Sequence, residues 1–181
     1  AGGVGLIACQ WAKHLGATVI GTVGSDEKAE LARAHGCDHP IVYTRENVVE
    51  RVKALTDGAG VPVVFDSVGR DTFMASLDCL QPRGLMVSYG NASGAVEPFS
   101  PGVLAAKGSL FLTRPTLATY IGTREELDAA TTELFDVVQS GAVKVEVSQV
   151  FALKDAAQAH RDLEARKTTG STVLMMEGEE S

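Results

Sequence analysis

An α/β fold built on a doubly wound parallel sheet is what this chain of 181 residues predicts, on three observations. The chain opens on a glycine-rich turn, Ala1-Gly2-Gly3-Val4-Gly5, that runs straight into a helical pattern. Strand patterns then alternate with helical ones as far as Pro115. Those strands are apolar at nearly every position, as parallel strands are when helices cover both faces.

The elements follow in order. Residues 4–14 form a helix with Leu6, Ile7, Cys9 and Trp11 available for burial. Gly16 then stands where helices end on a left-handed residue. Residues 17–23 are a buried strand, and Ser25 is the N-cap of a helix reaching Ala34. Residues 41–43 form a short strand, and residues 47–56 a helix with Val48, Val49, Val52 and Leu55 inward. Residues 61–66 form a strand that tolerates Pro62 at its start, since proline cannot donate to a ladder. A helix over 71–80, a strand over 85–89, a long Gly/Ser/Pro loop over 90–102 and a strand over 109–113 complete this part.

The pattern changes after Pro115. Thr123 and Glu126 make a capping box for a helix reaching about Ser140. Strands over 143–150 and 172–176 flank a helix over 154–166. The domain reading is therefore 1–117 for the first domain, 118–176 for a segment of separate character, and 177–181 for an acidic tail of disordered composition.

Composition excludes several function classes. A net charge of −7 with no basic block argues against a nucleic-acid partner. No apolar run approaches the roughly 20 residues that span a bilayer, so no membrane partner is expected. Cys9, Cys37 and Cys79 lie far apart without C-x-x-C spacing, which fits free thiols in a reducing compartment, the cytoplasm by default. Cys9 and Cys79 fall on helix faces and read as inert core thiols. His35-Gly36-Cys37-Asp38-His39 carries metal-ligating residue types. Gly36 and Pro40 place it on a turn, however, and no fourth soft ligand stands at finger spacing, so no metal site is expected. His14 and His160 read as surface residues. No G-x-S-x-G elbow supplies a hydrolase nucleophile.

The glycine turn points to a dinucleotide. Glycines let the backbone approach a pyrophosphate, and a helix N-terminus offers free N–H groups and partial positive charge. Such a turn joins the first strand of a nucleotide-binding sheet to its first helix. No strand pattern precedes it here, so the sheet is expected to lack its first strand and the chain reads as N-terminally truncated. After the next strand, NAD-preferring folds place an acid on the ribose 2′-hydroxyl. This chain has Gly24 and Ser25 instead, with Lys28 one turn on. A hydroxyl and an ammonium suit a 2′-phosphate. Each charge-assisted bond there contributes roughly 1.5–3 kcal/mol. NADP(H) is therefore the expected cofactor.

The segments AGGVGLIACQWAK, GTVGSDEKAELA, VVFDSVGRDTF, LDCLQPRGLMVSYGNASGAV and KGSLFLTRPTL resemble the bacterial NADPH:quinone oxidoreductases. These are zinc-independent, zeta-crystallin-like members of the medium-chain dehydrogenase/reductase superfamily. The resemblance implies a Rossmann-type NADP domain followed by a C-terminal return into a GroES-like catalytic domain, most of which would precede Ala1. It implies that Gly2, Gly3 and Val4 cradle the pyrophosphate and that Gly5 permits close helix–sheet packing. Ser25 and Lys28 would hold the 2′-phosphate, with Tyr43 near the adenosine phosphate. Ser67 and Val68 would lie near adenine and ribose; Tyr89, Gly90 and Asn91 would approach the nicotinamide. Thr169, Gly170 and Ser171 would come back beside the cofactor. No catalytic residue is placed in this chain. The implied substrate is a quinone or enone, and the implied assembly a homodimer through the strand at 108–113. An enoyl or alkenal reductase, a zinc alcohol dehydrogenase relative and a non-catalytic NADPH-binding module remain alternative readings. The stretch 145–153 is shorter than the family leads one to expect, which leaves the register of the C-terminal return open.

Overall fold

Side-chain capping sets three of the helix starts in the computed structural model, which describes residues 2–176. The elements are α1 (Gly3–His14), β1 (Ile20–Val23), α2 (Asp26–Ala34), β2 (His39–Val42), α3 (Val48–Leu55), β3 (Val61–Asp66), α4 (Phe73–Asp78) and β4 (Leu80–Ser88). They continue with α5 (Gly102–Ala106), β5 (Phe111–Thr113), α6 (Leu117–Tyr120), α7 (Arg124–Gln139), β6 (Val147–Ala152), α8 (Ala156–Glu164) and β7 (Ser171–Met175). Ser25 caps α2 by accepting from the Lys28 N–H, and Asn47 caps α3 by accepting from the Glu50 N–H. The Thr123–Glu126 box forms in both directions at the head of α7. Gly16, with φ +84°, ends α1, as expected.

All strand pairings are parallel. The orders are β1-β2, β3-β4-β5 and β6-β7. The described residues fall into two compact units, one of Ala1–Thr44 with Thr132–Ser181, the other of Arg45–Thr131. In the first, α2 packs on β1 and β2 around Val23, Ala29, Ala32, Cys37 and Val42. In the second, α4 packs on β3 and β4 around Phe73, Leu77, Leu80, Met86 and Leu110. β3 pairs on one side with β4, while Phe65 is 71% and Val63 40% exposed. That apolar strand is open to a further partner.

Several boundaries depart from the sequence reading. β2 starts at His39, ahead of the expected 41, and takes in Pro40 opposite Gly21. An edge strand accommodates proline because its N–H is not needed on the open side. β4 starts at Leu80, where a helix was expected. Arg83 takes φ +61° and donates its N–H to the Gly108 carbonyl at 2.8 Å, and the β3–β4 register shifts between Val61 and Val63. The expected strand over 143–150 begins only at Val147. Val143 instead turns back to close α7, its N–H meeting the Val137 carbonyl at 2.9 Å. The tail 177–181 and Ala1 lie outside the described residues.

Asp66 organises the C-terminal end of β3. It is 4% exposed and accepts four hydrogen bonds: from the Val68 and Gly69 N–H groups at 2.7 and 3.0 Å, and from the Thr72 and Ser76 hydroxyls at 2.7 Å each. Burial alone pushes its carboxyl up, but these bonds together outweigh that and hold it below the usual carboxylate range. Its stabilisation is therefore present above the unfolded value, about pH 4, and is lost as pH falls through the lower folded value. Urea unfolding should show Asp66→Ala costing about 3 kcal/mol at neutral pH. The wild-type midpoint should drop below about pH 4, and the drop should be shallower in the variant.

Candidate functional site

The first half of the site is backbone. Gly2 stands at the N-cap of α1 with φ −83° and ψ 172°, and no side chain caps the helix. The first-turn N–H groups of Gly3, Val4 and Gly5 have no partner within the helix. Gly2 bridges Gly170 in a parallel sense. A Cβ on Gly3 would lie 2.9 Å from Ser171 Oγ and 3.3 Å from the Gly170 carbonyl oxygen, so only glycine fits there unshifted. Gly2, Gly3, Gly170 and Ser171 are therefore brought together. Val4 is exposed at the same turn. Gly5 departs from expectation: a Cβ there would meet open space, so no described element packs closely over it.

A polar cluster stands at the end of β1. Lys28 Nζ donates to the Arg166 carbonyl at 2.9 Å, and Arg166 Nη1 donates to the Tyr43 hydroxyl at 3.3 Å. The Tyr43 hydroxyl lies over Gly24, where a Cβ would come within 2.9 Å of it. Ser25 is occupied on both sides: it accepts from the Lys28 N–H at 3.3 Å, and its hydroxyl bonds the Glu27 carboxylate. That bond, with the Glu27 N–H, holds the Glu27 carboxyl below its usual range. Lys28 spends its ammonium on a neutral carbonyl, so its charge remains available to an anion. Ser25, Lys28 and Tyr43 are thus joined by Arg166, which the sequence reading missed. Arg166 follows α8 at φ +59°, the place a glycine would take without strain.

The other unit gathers the remaining expected residues at the C-terminal ends of β3 and β4. The Ser67 carbonyl accepts from the Ala92 N–H at 3.1 Å, and the Val68 carbonyl from the Ser93 N–H at 2.8 Å and hydroxyl at 2.9 Å. The Tyr89 N–H meets the Asp66 carbonyl at 2.8 Å. Gly90 packs so closely on Ser67 that a side chain could not be placed there. Ser67, Val68, Tyr89, Gly90 and Asn91 form one knit of loops, on the side of a parallel sheet where ligands bind. A pocket of about 220 Å³ beside it is lined by Phe73, Ser88, Asn91, Val96, Phe99, Leu112 and Arg114. Arg114 Nη1 donates to the Ser88 carbonyl at 2.7 Å.

The residues of the His35–His39 turn each have another task. His35 Nδ1 meets the Leu31 carbonyl at 2.7 Å and its Nε2 lies 3.4 Å from Glu146. Asp38 pairs with Lys13 and accepts from the Val19 N–H, while His39 opens β2. Among the described residues no group of three or more His, Cys, Asp or Glu could hold a metal ion, so no metal role is assigned to them.

This fold and glycine turn are those of a dinucleotide-binding domain. The family described as zinc-binding dehydrogenase matches residues 3–139, and the chain belongs to it. It is 58% identical over 175 residues to a quinone oxidoreductase of Pseudomonas aeruginosa, covering 97% of this chain and 54% of that protein. It is 49% identical over 176 residues to a 2-haloacrylate reductase of a Burkholderia species, covering 97% and 53%. The crystal structure of the Escherichia coli quinone oxidoreductase complexed with NADPH matches with a TM-score of 0.93 at 58% identity, over 97% of this chain and 54% of that one. The resemblance read from the residues is borne out, as is the α/β class. The chain spans about half the length of the curated relatives it matches.

Arg166 supplies a test of these local roles. Arg166→Gly relieves a left-handed backbone, so the urea midpoint should rise by the equivalent of about 0.5–1 kcal/mol. A fall of that size would instead make the side-chain bond to Tyr43 a net stabilising contact of the free protein.

Proposed function

We propose that this chain carries the NADPH site of an NADPH-dependent quinone reductase. The single observation behind the reading is the convergence of Lys28, Arg166, Tyr43 and Ser25 at the end of β1, where a dinucleotide fold holds the adenosine ribose. Two cations and two hydroxyls there suit a 2′-phosphate, and an acid that would repel it is missing from the strand end. The NADPH in the E. coli relative's structure supports the same choice. NADPH, when bound, supplies the hydride that reduces the acceptor. The chain's own part is to hold it. The first-turn N–H groups of α1 would meet the pyrophosphate, and Ser25 would exchange Glu27 for phosphate. Lys28 and Arg166 would turn their charges onto that phosphate. Ser67, Val68, Tyr89, Gly90 and Asn91 would line the ribose-to-nicotinamide path.

The reaction in this reading runs without zinc, on a cytoplasmic protein. Cys9, Cys37 and Cys79 are free thiols, which accords with a reducing compartment. Among the described residues no helix is long and apolar enough to cross a membrane. A second acceptor class is an activated alkene, favoured by the 2-haloacrylate reductase relative. Turnover with a quinone against a haloalkenoate separates the two. The homodimer would form through β5, which among the described residues pairs with β4 alone and leaves Phe111 62% exposed. Sedimentation at micromolar concentration should give dimers, and monomers alone would remove that interface.

Nucleotide titration tests the cofactor assignment. Lys28→Ala and Arg166→Ala should each weaken NADPH binding about 10-fold or more while leaving NADH nearly unchanged. Equal losses for both nucleotides would remove the 2′-phosphate assignment.

A further inference from the structure

Two thiols in the first unit are left unused by the nucleotide site. Cys9 lies half-buried in the middle of α1; Cys37, 3% exposed, lies in the turn between α2 and β2. Cys9 packs against the same apolar cluster that contains Cys37. Their backbones are drawn together at Gly36, whose φ is +88°. A Cβ there would stand 3.2 Å from the Cys9 carbonyl oxygen, so a glycine is what permits the approach. The two thiols hydrogen-bond each other. Cys37 Sγ also faces the Val19 carbonyl at 3.7 Å and fills the space over Gly21, where a Cβ would come within 2.9 Å of the sulfur.

The surroundings divide the chemistry between the two sulfurs. The Cys9 thiol bond lowers Cys37 against the opposing effect of burial, and the backbone N–H groups of His39 and Gly21 lower it further, to about 7. The same contact and burial push Cys9 up. Cys37 is thus the sulfur that deprotonates more readily, and Cys9 the one that keeps its proton. Cys79, raised to about 11 by burial and by Asp78, has no such neighbour.

We propose that Cys9 and Cys37 form an oxidisable dithiol that peroxides convert to an intramolecular disulfide, tying the middle of α1 to the turn before β2. The Cys37 thiolate attacks one peroxide oxygen. The O–O bond breaks, hydroxide leaves and takes up a proton, and Cys37 becomes a sulfenic acid. The Cys9 sulfur then attacks the Cys37 sulfur. The S–O bond breaks, and the departing hydroxide takes the Cys9 proton and leaves as water. Two thiols give up two electrons and two protons; one hydrogen peroxide becomes two waters. A dithiol reductant reverses the step.

The test is hydrogen peroxide treatment of the intact protein at small molar excess, followed by alkylation in denaturant and peptide mapping. The mass should fall by two hydrogens, and free thiols in this chain from three to one. The linked peptides should carry Cys9 and Cys37, Cys79 should be alkylated, and a dithiol should restore all three. Cys79→Ala should lose its two thiols in the same way. Cys37→Ala should form no internal link. Three thiols surviving the oxidant would overturn the proposal. So would a bond through Cys79, a bond between chains, or stable sulfinic acid at Cys37 with Cys9 still free. The wild-type map decides the matter even where a variant fails to fold.

Discussion

The close approach of two backbones, at Gly2–Gly3 and Gly170–Ser171, is the contact on which the proposed site depends. A parallel bridge joins Gly2 to Gly170, and the Gly3 hydrogen faces Ser171 Oγ in a space that a Cβ could enter only if its neighbours shifted. The contact anchors the C-terminal return beside the start of α1. The return carries Arg166 into bonding range of Tyr43, and its carbonyl to Lys28. A segment more than a hundred residues away in sequence thereby contributes to the end of the fold where an adenosine ribose is expected.

The electrostatics of that corner are poised rather than satisfied. Lys28 and Arg166 are long cations whose bonds here end on a carbonyl and a phenol, both neutral. Glu27 is tied to the Ser25 hydroxyl, in a bond that a phosphate could displace. A dianionic 2′-phosphate would gain two charge-assisted partners and lose only exposed contacts of low value. The left-handed backbone at Arg166 fits the same picture, since strain of this kind persists where a side chain is needed more than local stability.

Local chemistry was legible in the chain and tertiary chemistry was not. The Ser25 cap, the Asn47 start of α3, the Thr123–Glu126 box and the Gly16 stop are each written within four residues, and each forms as expected. The glycine turn and the polar turn at Ser25 were legible for the same reason. The early starts of β2 and β4 were hidden because pairing partners set them. Pro40 enters a strand because the strand is an edge, and Arg83 turns left-handed to reach Gly108. Arg166 gave no signal, because its value lies in Tyr43 and Lys28 and not in its sequence neighbours. Gly5 misled in the opposite direction: a glycine in the right place has nothing packed over it here.

In the proposed site, the turn beginning at Gly2 is a phosphate cradle shaped by its contact with Gly170 and Ser171. The most direct measurement is the affinity of a Gly3→Ala variant for NADPH and for NADH, with folding checked by circular dichroism. Both nucleotides carry the pyrophosphate, so both should bind about 10-fold or more weakly and by similar factors. A folded variant that binds both as tightly as the parent would contradict the claim.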